Sequence, residues 1–203
     1  MDILERLDSG ELYSCRDLPP EMKQQFVETQ DLAHLYNQTL PSDSEKREEI
    51  IRRLIPDLGE HACIEQPLRL AYGHKLHIGD YFYANFNLTM VNEADIYIGN
   101  HVMFAPNVTI STTGHPVHYQ LRPRAEQFSL PVRIGDYVWI GANVIILPGV
   151  TIGDHSVIGA GSIVTHDIPA NVVALGTPCR VIREITGEDL IYDRKGHKAL
   201  REE

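Results

Sequence analysis

Cysteine is scarce. The 203-residue sequence holds three, Cys15, Cys63 and Cys179. They are scattered and odd in number, which fits a reducing cytoplasm better than a disulfide framework. Positive charge is also in short supply. Eighteen Lys and Arg stand against 28 Asp and Glu, a formal net charge of −10. Nucleic acid and anionic membrane both require clustered positive charge, so neither is the expected main partner. No stretch approaches the about 20 apolar residues of a membrane-spanning helix. Met1-Asp2-Ile3-Leu4-Glu5-Arg6 has neither the basic start nor the apolar run of a signal peptide. With 43% hydrophobic and 23% charged residues, nothing is biased toward disorder or a fibrous repeat. The length suits one domain with a small appendage and suffices to bury a core.

Residues 1–60 read as a helical segment. Ile3, Leu4 and Leu7 start a short helix that Gly10 ends. After Pro19-Pro20, the residues Met22, Phe26, Leu32, Leu35 and Tyr36 give a second helix its apolar face. Leu40-Pro41 breaks it. Ser42 and Glu45 then form an S-x-x-E capping box before a third helix, whose face is Ile50, Ile51, Leu54 and Ile55 and which Pro56 stops.

From residue 61 to 185 glycine and β-branched residues replace the helical period, leaving 186–203 as a C-terminal tail. Counted in sixes from Ile134, every unit opens on an aliphatic residue: Ile134, Ile140, Ile146, Ile152, Ile158 and Val164. The next position is small or polar in Gly135, Gly141, Gly153, Gly159 and Thr165, and the fifth is Val138, Val144, Val150, Ser156, Ser162 and Ile168. Upstream, Ile78, Ala84 and Met90 keep the same spacing, as do Ile98, Phe104 and Ile110; the two runs are offset by two residues, so one turn between them is expanded. A sustained period of six is a β-helix signature. Each unit supplies one short strand and one corner, and three units complete a triangular coil. Aliphatic side chains stack inside, small residues occupy corners where a Cβ would clash, and each coil buries the face of the next.

The repeat is interrupted once. Residues 111–132 form a protruding loop containing Gly114, Pro116, Pro123 and the cluster His115-Pro116-Val117-His118. A long loop on a rigid scaffold usually carries function.

At this level of detail the sequence resembles the galactoside and maltose O-acetyltransferases. The resemblance lies in the hexapeptide array, Thr113 to His118, Phe82-Tyr83-Ala84-Asn85-Phe86-Asn87, Asn143 to Gly153, Gly176 to Ile182 and the opening Gly10-Glu11-Leu12-Tyr13. In motifs it is closer to the galactoside type. It implies a mainly β protein built as a left-handed parallel β-helix, an exception to the usual right-handed crossover, with an N-terminal α-helical segment. It also implies a homotrimer with active sites between subunits, acetyl-CoA as cosubstrate without a metal, and acetyl transfer to a sugar hydroxyl in a ternary complex.

The resemblance carries roles onto particular residues. His115 matches the general base that an almost fully protonated hydroxyl needs, with His118 an orienter or loop packing. Asn85 matches an acceptor-binding amide, and Ala142 the backbone N–H that stabilises the oxyanion. Trp139, Ala160, Thr165, Arg180 and Arg183 match the coenzyme groove, the arginines toward phosphate. Four departures bear on specificity. His166 replaces a common lysine, Ala71 a common polar residue, Glu93 a common aspartate, and Gln127 lies near the acceptor region. Two other readings compete: transfer to serine or an antibiotic, and a carbonic-anhydrase-like metal site from His101, His115 and His118.

Overall fold

In the computed structural model, which describes residues 2–192 and 196–198, the chain opens on a capping box. The Asp2 and Glu5 side chains each accept the other's backbone N–H at the start of α1 (Ile3–Ser9), and Gly10, at φ 73°, ends it. The short strand β1 (Tyr13–Ser14) follows. Pro20 begins α2 (Pro20–Asn37), a position where its missing N–H costs nothing.

The buried face of α2 is Met22, Thr29, Ala33 and Tyr36; Met22 and Tyr36 belong to the apolar set the spacing suggests and Leu32 packs partly buried beside them, whereas Phe26 and Leu35 are exposed and Thr29 and Ala33 turn inward. Hydrogen bonding explains the difference. Thr29 Oγ1 accepts the Gly73 N–H at 3.3 Å, and the Tyr36 hydroxyl donates to the Ile64 carbonyl at 2.5 Å. Apolar periodicity is blind to side chains turned inward to satisfy a neighbouring backbone. The S-x-x-E box does not form either. Asp43 caps α3 (Ser44–Leu54) by accepting the Lys46 N–H, because an aspartate one residue nearer the helix is an equally good cap. Ile50, Ile51, Leu54 and Ile55 are buried as expected.

From Asp57 the chain winds in coils of three strands. The first coil is β2 (Asp57–Leu58), β3 (Cys63–Ile64) and β4 (Leu68–Leu70). The second is β5 (Leu76–Ile78), β6 (Tyr83–Ala84) and β7 (Leu88–Val91). The third is β8 (Ile96–Ile98), β9 (Met103–Phe104) and β10 (Thr109–Ser111). The loop then carries β11 (Thr113–Gly114) and β12 (Glu126–Ser129). The fourth coil is β13 (Val132–Ile134), β14 (Trp139–Ile140) and β15 (Ile145–Ile146). The fifth is β16 (Thr151–Ile152), β17 (Val157–Ile158) and β18 (Ile163–Val164). β19 (Val172–Gly176) and β20 (Cys179–Glu184) close the far end as an antiparallel pair.

Corresponding strands pair in parallel, giving the three faces of a β-helix. The register is the hexad register. Leu58, Ile78, Ile98, Ile134 and Ile152 align on one face, Ile64, Ala84, Phe104, Ile140, Ile158 and Ala174 on the second, Leu70, Met90, Ile110, Ile146 and Val164 on the third. All are buried. The expanded turn after Met90 is filled by Asn92, fully buried, whose Oδ1 accepts the Ala71 and Tyr72 N–H groups and whose Nδ2 donates to the Tyr72 carbonyl.

Corner glycines such as Gly135 act through contact, whereas Gly149 and Gly161 supply left-handed backbone at φ 80° and 73°. A Cβ on Gly135 would stand 2.0 Å from the Asp154 carboxylate and 2.8 Å from its backbone nitrogen. Left-handed backbone also falls on His61, Tyr81, His101, Tyr137 and His155 at one corner and on Asn87, Asn107 and Asn143 at another. The first set stacks its rings coil upon coil, 4.6–5.6 Å between centroids. The second links amide to amide at 2.9 and 3.1 Å. At the N-terminal end, the helices cap the first coil's open edge. Asn37 exchanges two bonds with the Leu68 backbone at 2.8 Å, while Gln30 and Arg52 donate to the Leu70 and Leu58 carbonyls.

Candidate functional site

Two strands of the loop form an antiparallel hairpin, with Thr113 opposite Ser129 and Gly114 opposite Phe128. β1 adds to its outer edge, pairing Tyr13 with Gln127 and Ser14 with Glu126. The N-terminal segment is therefore part of the loop's architecture. His115 follows β11 directly and is exposed. Its Nδ1 lies 2.8 Å from the Glu126 carbonyl oxygen. A carbonyl can only accept, so Nδ1 carries the proton and the neutral ring keeps its lone pair on Nε2. A groove of about 340 Å³ runs beside this hairpin, its walls including Arg6, Tyr13, Asp17, Arg124 and Glu126. Arg124 and Asp17 form an ion pair at 3.0 Å.

The residues named for the acceptor side have unequal placements. Asn85 is half-buried at the corner after β6, where its Oδ1 accepts the Phe86 N–H at 2.8 Å and leaves the amide nitrogen free to donate. Glu93 sits in the expanded turn and accepts from Thr113 Oγ1 at 2.5 Å. Gln127 is 5% exposed, and its amide nitrogen donates to the Tyr13 hydroxyl at 2.8 Å. Ala71 is 7% exposed, with its N–H on Asn92. Glu93 and Gln127 thus bond inward, to the hairpin and to β1.

On the coenzyme side, Trp139 is 49% exposed on the β14 face, in register with Met103 and Val157. Ala142 and Ala160 occupy equivalent corners one coil apart; the Gly161 N–H donates to the Ala142 carbonyl at 2.8 Å. The N–H groups of Ala142 and Ala160 donate to no other group among the described residues. Two main-chain donors without a partner on successive coils remain available to carbonyl or oxyanion acceptors. Thr165 Oγ1 and His166 Nδ1 are 2.8 Å apart. His166 and Arg180 line one shallow groove of about 450 Å³ with Asp167, Ile168, Cys179 and Val181. Arg183 stands apart from this set. Both its terminal nitrogens bond Asp189, at 2.8 and 2.7 Å, and the guanidinium holds the Asp189 carboxyl at a pKa of about 2.

His118 makes no hydrogen bond to His115 among the described residues. Its Nδ1 accepts the Gln120 N–H at 3.3 Å, and its ring stacks on Tyr119. His101 lies in the ring column between Tyr81 and Tyr137. Among the described residues no group of three His, Cys, Asp or Glu side chains is arranged to hold a metal. All three cysteines are free thiols, and burial pushes the Cys63 and Cys179 thiols up, away from the thiolate a nucleophile needs. Sequence reasoning did not single out Glu126, whose main-chain carbonyl meets His115, or Tyr13, which the fold brings to the hairpin from more than a hundred residues away.

Residues 131–166 match the bacterial transferase hexapeptide (six repeats) family, and residues 6–59 match the maltose acetyltransferase hexapeptide capping motif. Galactoside O-acetyltransferase of Escherichia coli (strain K12) is 50% identical over 200 residues, 98% of this chain and 97% of that protein. Its counterpart in Lactococcus lactis subsp. lactis (strain IL1403) is 47% identical over 95% of this chain and 93% of its own length. Among solved structures, a galactoside acetyltransferase in complex with coenzyme A superposes with a TM-score of 0.95 at 49% identity, covering 99% of this chain and 100% of the other. A maltose O-acetyltransferase from Clostridium difficile 630 does so at 0.87 and 45%, covering 92% and 98%.

Proposed function

Because the chain belongs to the hexapeptide-repeat family of galactoside and maltose O-acetyltransferases, we propose that it transfers the acetyl group of acetyl-CoA to a hydroxyl of a sugar. The acceptor class is a galactoside, glucoside or maltose-like sugar, and transfer is direct, in a ternary complex. The hydrogen bond from His115 Nδ1 to the Glu126 carbonyl carries this reading, because it presents Nε2 as a base at the surface.

His115 Nε2 takes the hydroxyl proton as the sugar oxygen bonds to the acetyl carbonyl carbon. The carbon–sulfur bond then breaks, and the imidazolium returns the proton to the departing thiolate. The Ala142 N–H donates to the carbonyl oxygen as it gains charge. Asn85 holds the acceptor through its free amide nitrogen. Trp139 and the Ala160 N–H border the coenzyme, and Thr165, His166 and Arg180 receive its polar end. With Asp189 already paired to it, Arg183 contributes less phosphate affinity than Arg180. Burial pushes the Cys63 and Cys179 thiols up, which supports direct transfer over an acyl-enzyme at either.

The working form is a homotrimer with acetyl-CoA bound between subunits. Support comes from the outer coil face, where Tyr83, Met103 and Trp139 leave an apolar column 37–51% exposed in a single chain. Free cysteines support a cytoplasmic setting.

The test is thiol release from acetyl-CoA across galactosides, glucosides, maltose, amino sugars and serine, with His115→Ala alongside. Sugar-dependent release that falls by at least about 10²-fold in the variant, the scale of a positioned base, is the expected result. Unaltered release by His115→Ala overturns the base assignment; release with serine alone overturns the acceptor class.

A further inference from the structure

We propose that Tyr13 is a positioning residue for His115, acting through a string of hydrogen bonds that ties the N-terminal segment and the solenoid to the hairpin; the inference rests on His115 being the base. The string runs through five side chains. Gln127 Nε2 donates to the Tyr13 hydroxyl at 2.8 Å, the Tyr13 and Ser129 hydroxyls are 2.7 Å apart, the Ser129 and Thr113 hydroxyls 3.0 Å, and Thr113 Oγ1 meets Glu93 at 2.5 Å. Tyr13, Gln127 and Ser129 are each at most 5% exposed.

Its direction is fixed from both ends. Glu93 as a carboxylate only accepts, so Thr113 spends its single hydroxyl proton there. Ser129 must then donate to Thr113, and Tyr13 to Ser129. That leaves the Tyr13 oxygen to accept from Gln127, which has amide protons to give. No member can reverse without stranding a buried neighbour, and an unpaired buried polar group is costly.

The string matters because of what it joins. β11 leads straight into His115, and β12 begins with Glu126, whose carbonyl orients the imidazole. Thr113 belongs to the first strand, Gln127 and Ser129 to the second. The Ser129–Thr113 bond bridges them, Tyr13 ties Gln127 and Ser129 together on the second strand, and Glu93 anchors the string to the rigid coil. Other contacts of the segment, Ser14 to the Arg124 carbonyl at 2.7 Å and Cys15 N–H to the Ala125 carbonyl at 3.3 Å, reach only the β12 side. Tyr13 also bonds β12, through Gln127 and Ser129, but of these contacts it is the one that continues by way of Ser129 to Thr113 of β11, and so it steadies the strand whose carbonyl orients the base.

The experiment compares Tyr13→Phe, Thr113→Val and the double variant, with His115→Ala as reference, in steady-state kinetics on acetyl-CoA and the best sugar. Both single changes keep side-chain volume and cut the string at different links. Each is expected to lower kcat about tenfold, a part of what a positioned base supplies, while KM for acetyl-CoA stays within about twofold, since the coenzyme groove lies elsewhere. The double variant is expected to be no slower than the worse single, because one string is cut twice. Unchanged kcat in either single variant, multiplicative losses in the double, or a matching rise in KM for acetyl-CoA overturns the inference. Full activity in His115→Ala would instead remove its premise. Should Tyr13→Phe fail to fold, Thr113→Val alone decides by the same split between kcat and KM.

Discussion

A methyl group at position 114 has nowhere to go. The residue faces Phe128 across the hairpin, and a Cβ there would stand 2.5 Å from the ring. The half-buried Phe128 ring would have to swing aside, on the strand that carries Glu126. Gly114→Ala is therefore expected to lower kcat by tenfold or more, since small misplacements of a base cost that much, at a stability loss of about 1–3 kcal/mol from overpacking. Circular dichroism and a kinetic assay check both; a variant with native kcat would mean that the hairpin tolerates the shift. Individual residues were unevenly legible. His115, Asn85 and Arg180 were singled out by the motifs around them. Glu126 left no mark, because the useful atom is a main-chain oxygen that any residue supplies. Gln127 and Glu93 were placed near the acceptor from resemblance, yet their side chains bond inward to partners known only once the chain is folded.

Among the elements, the hexads were legible because the same six-residue rule is repeated with buried aliphatics at every turn. The hexad phase of the first coil was not read, although most of that coil falls within the expected β segment. Leu58, Ile64 and Leu70 keep the spacing, but eight residues rather than six separate Leu70 from Ile78, and polar Glu65 and Gln66 interrupt the texture. Serines at the fifth position of the last coil also make sense only in three dimensions. Ser162 is fully buried, donates to the Gly159 carbonyl at 2.5 Å and accepts the Gly176 N–H at 3.0 Å. It serves the backbone of the closing hairpin, where no further hexad follows. Ser162→Val, though it perfects the sequence pattern, is expected to destabilise by about 1–3 kcal/mol through an unpaired buried N–H. Chemical denaturation would read the change, and a variant as stable as the parent would show that the pattern outweighs the hydrogen bond.

For the whole molecule, the fold class followed from the period, while the association of subunits followed only from resemblance, because an outward Tyr83 or Met103 reads the same on a free surface as at an interface. Sedimentation of the full chain is expected to give three times its 22.9 kDa mass, and a monomer or dimer mass would refute the trimer. The stack of coils has a second consequence. Every turn presents to the next the same ladder of backbone groups that it received, so nothing in the hexad itself dictates where winding stops. The halt is imposed from outside the repeat. Asn37, Gln30, Tyr36 and Arg52 occupy the polar atoms of the first rung, and the reversal of β20 against β19 ends the other pole. Deprived of its helices, the solenoid would carry a naked templating edge. The N-terminal segment thus works as a terminator of polymerisation, keeping a shape built like a fibre at the size of an enzyme.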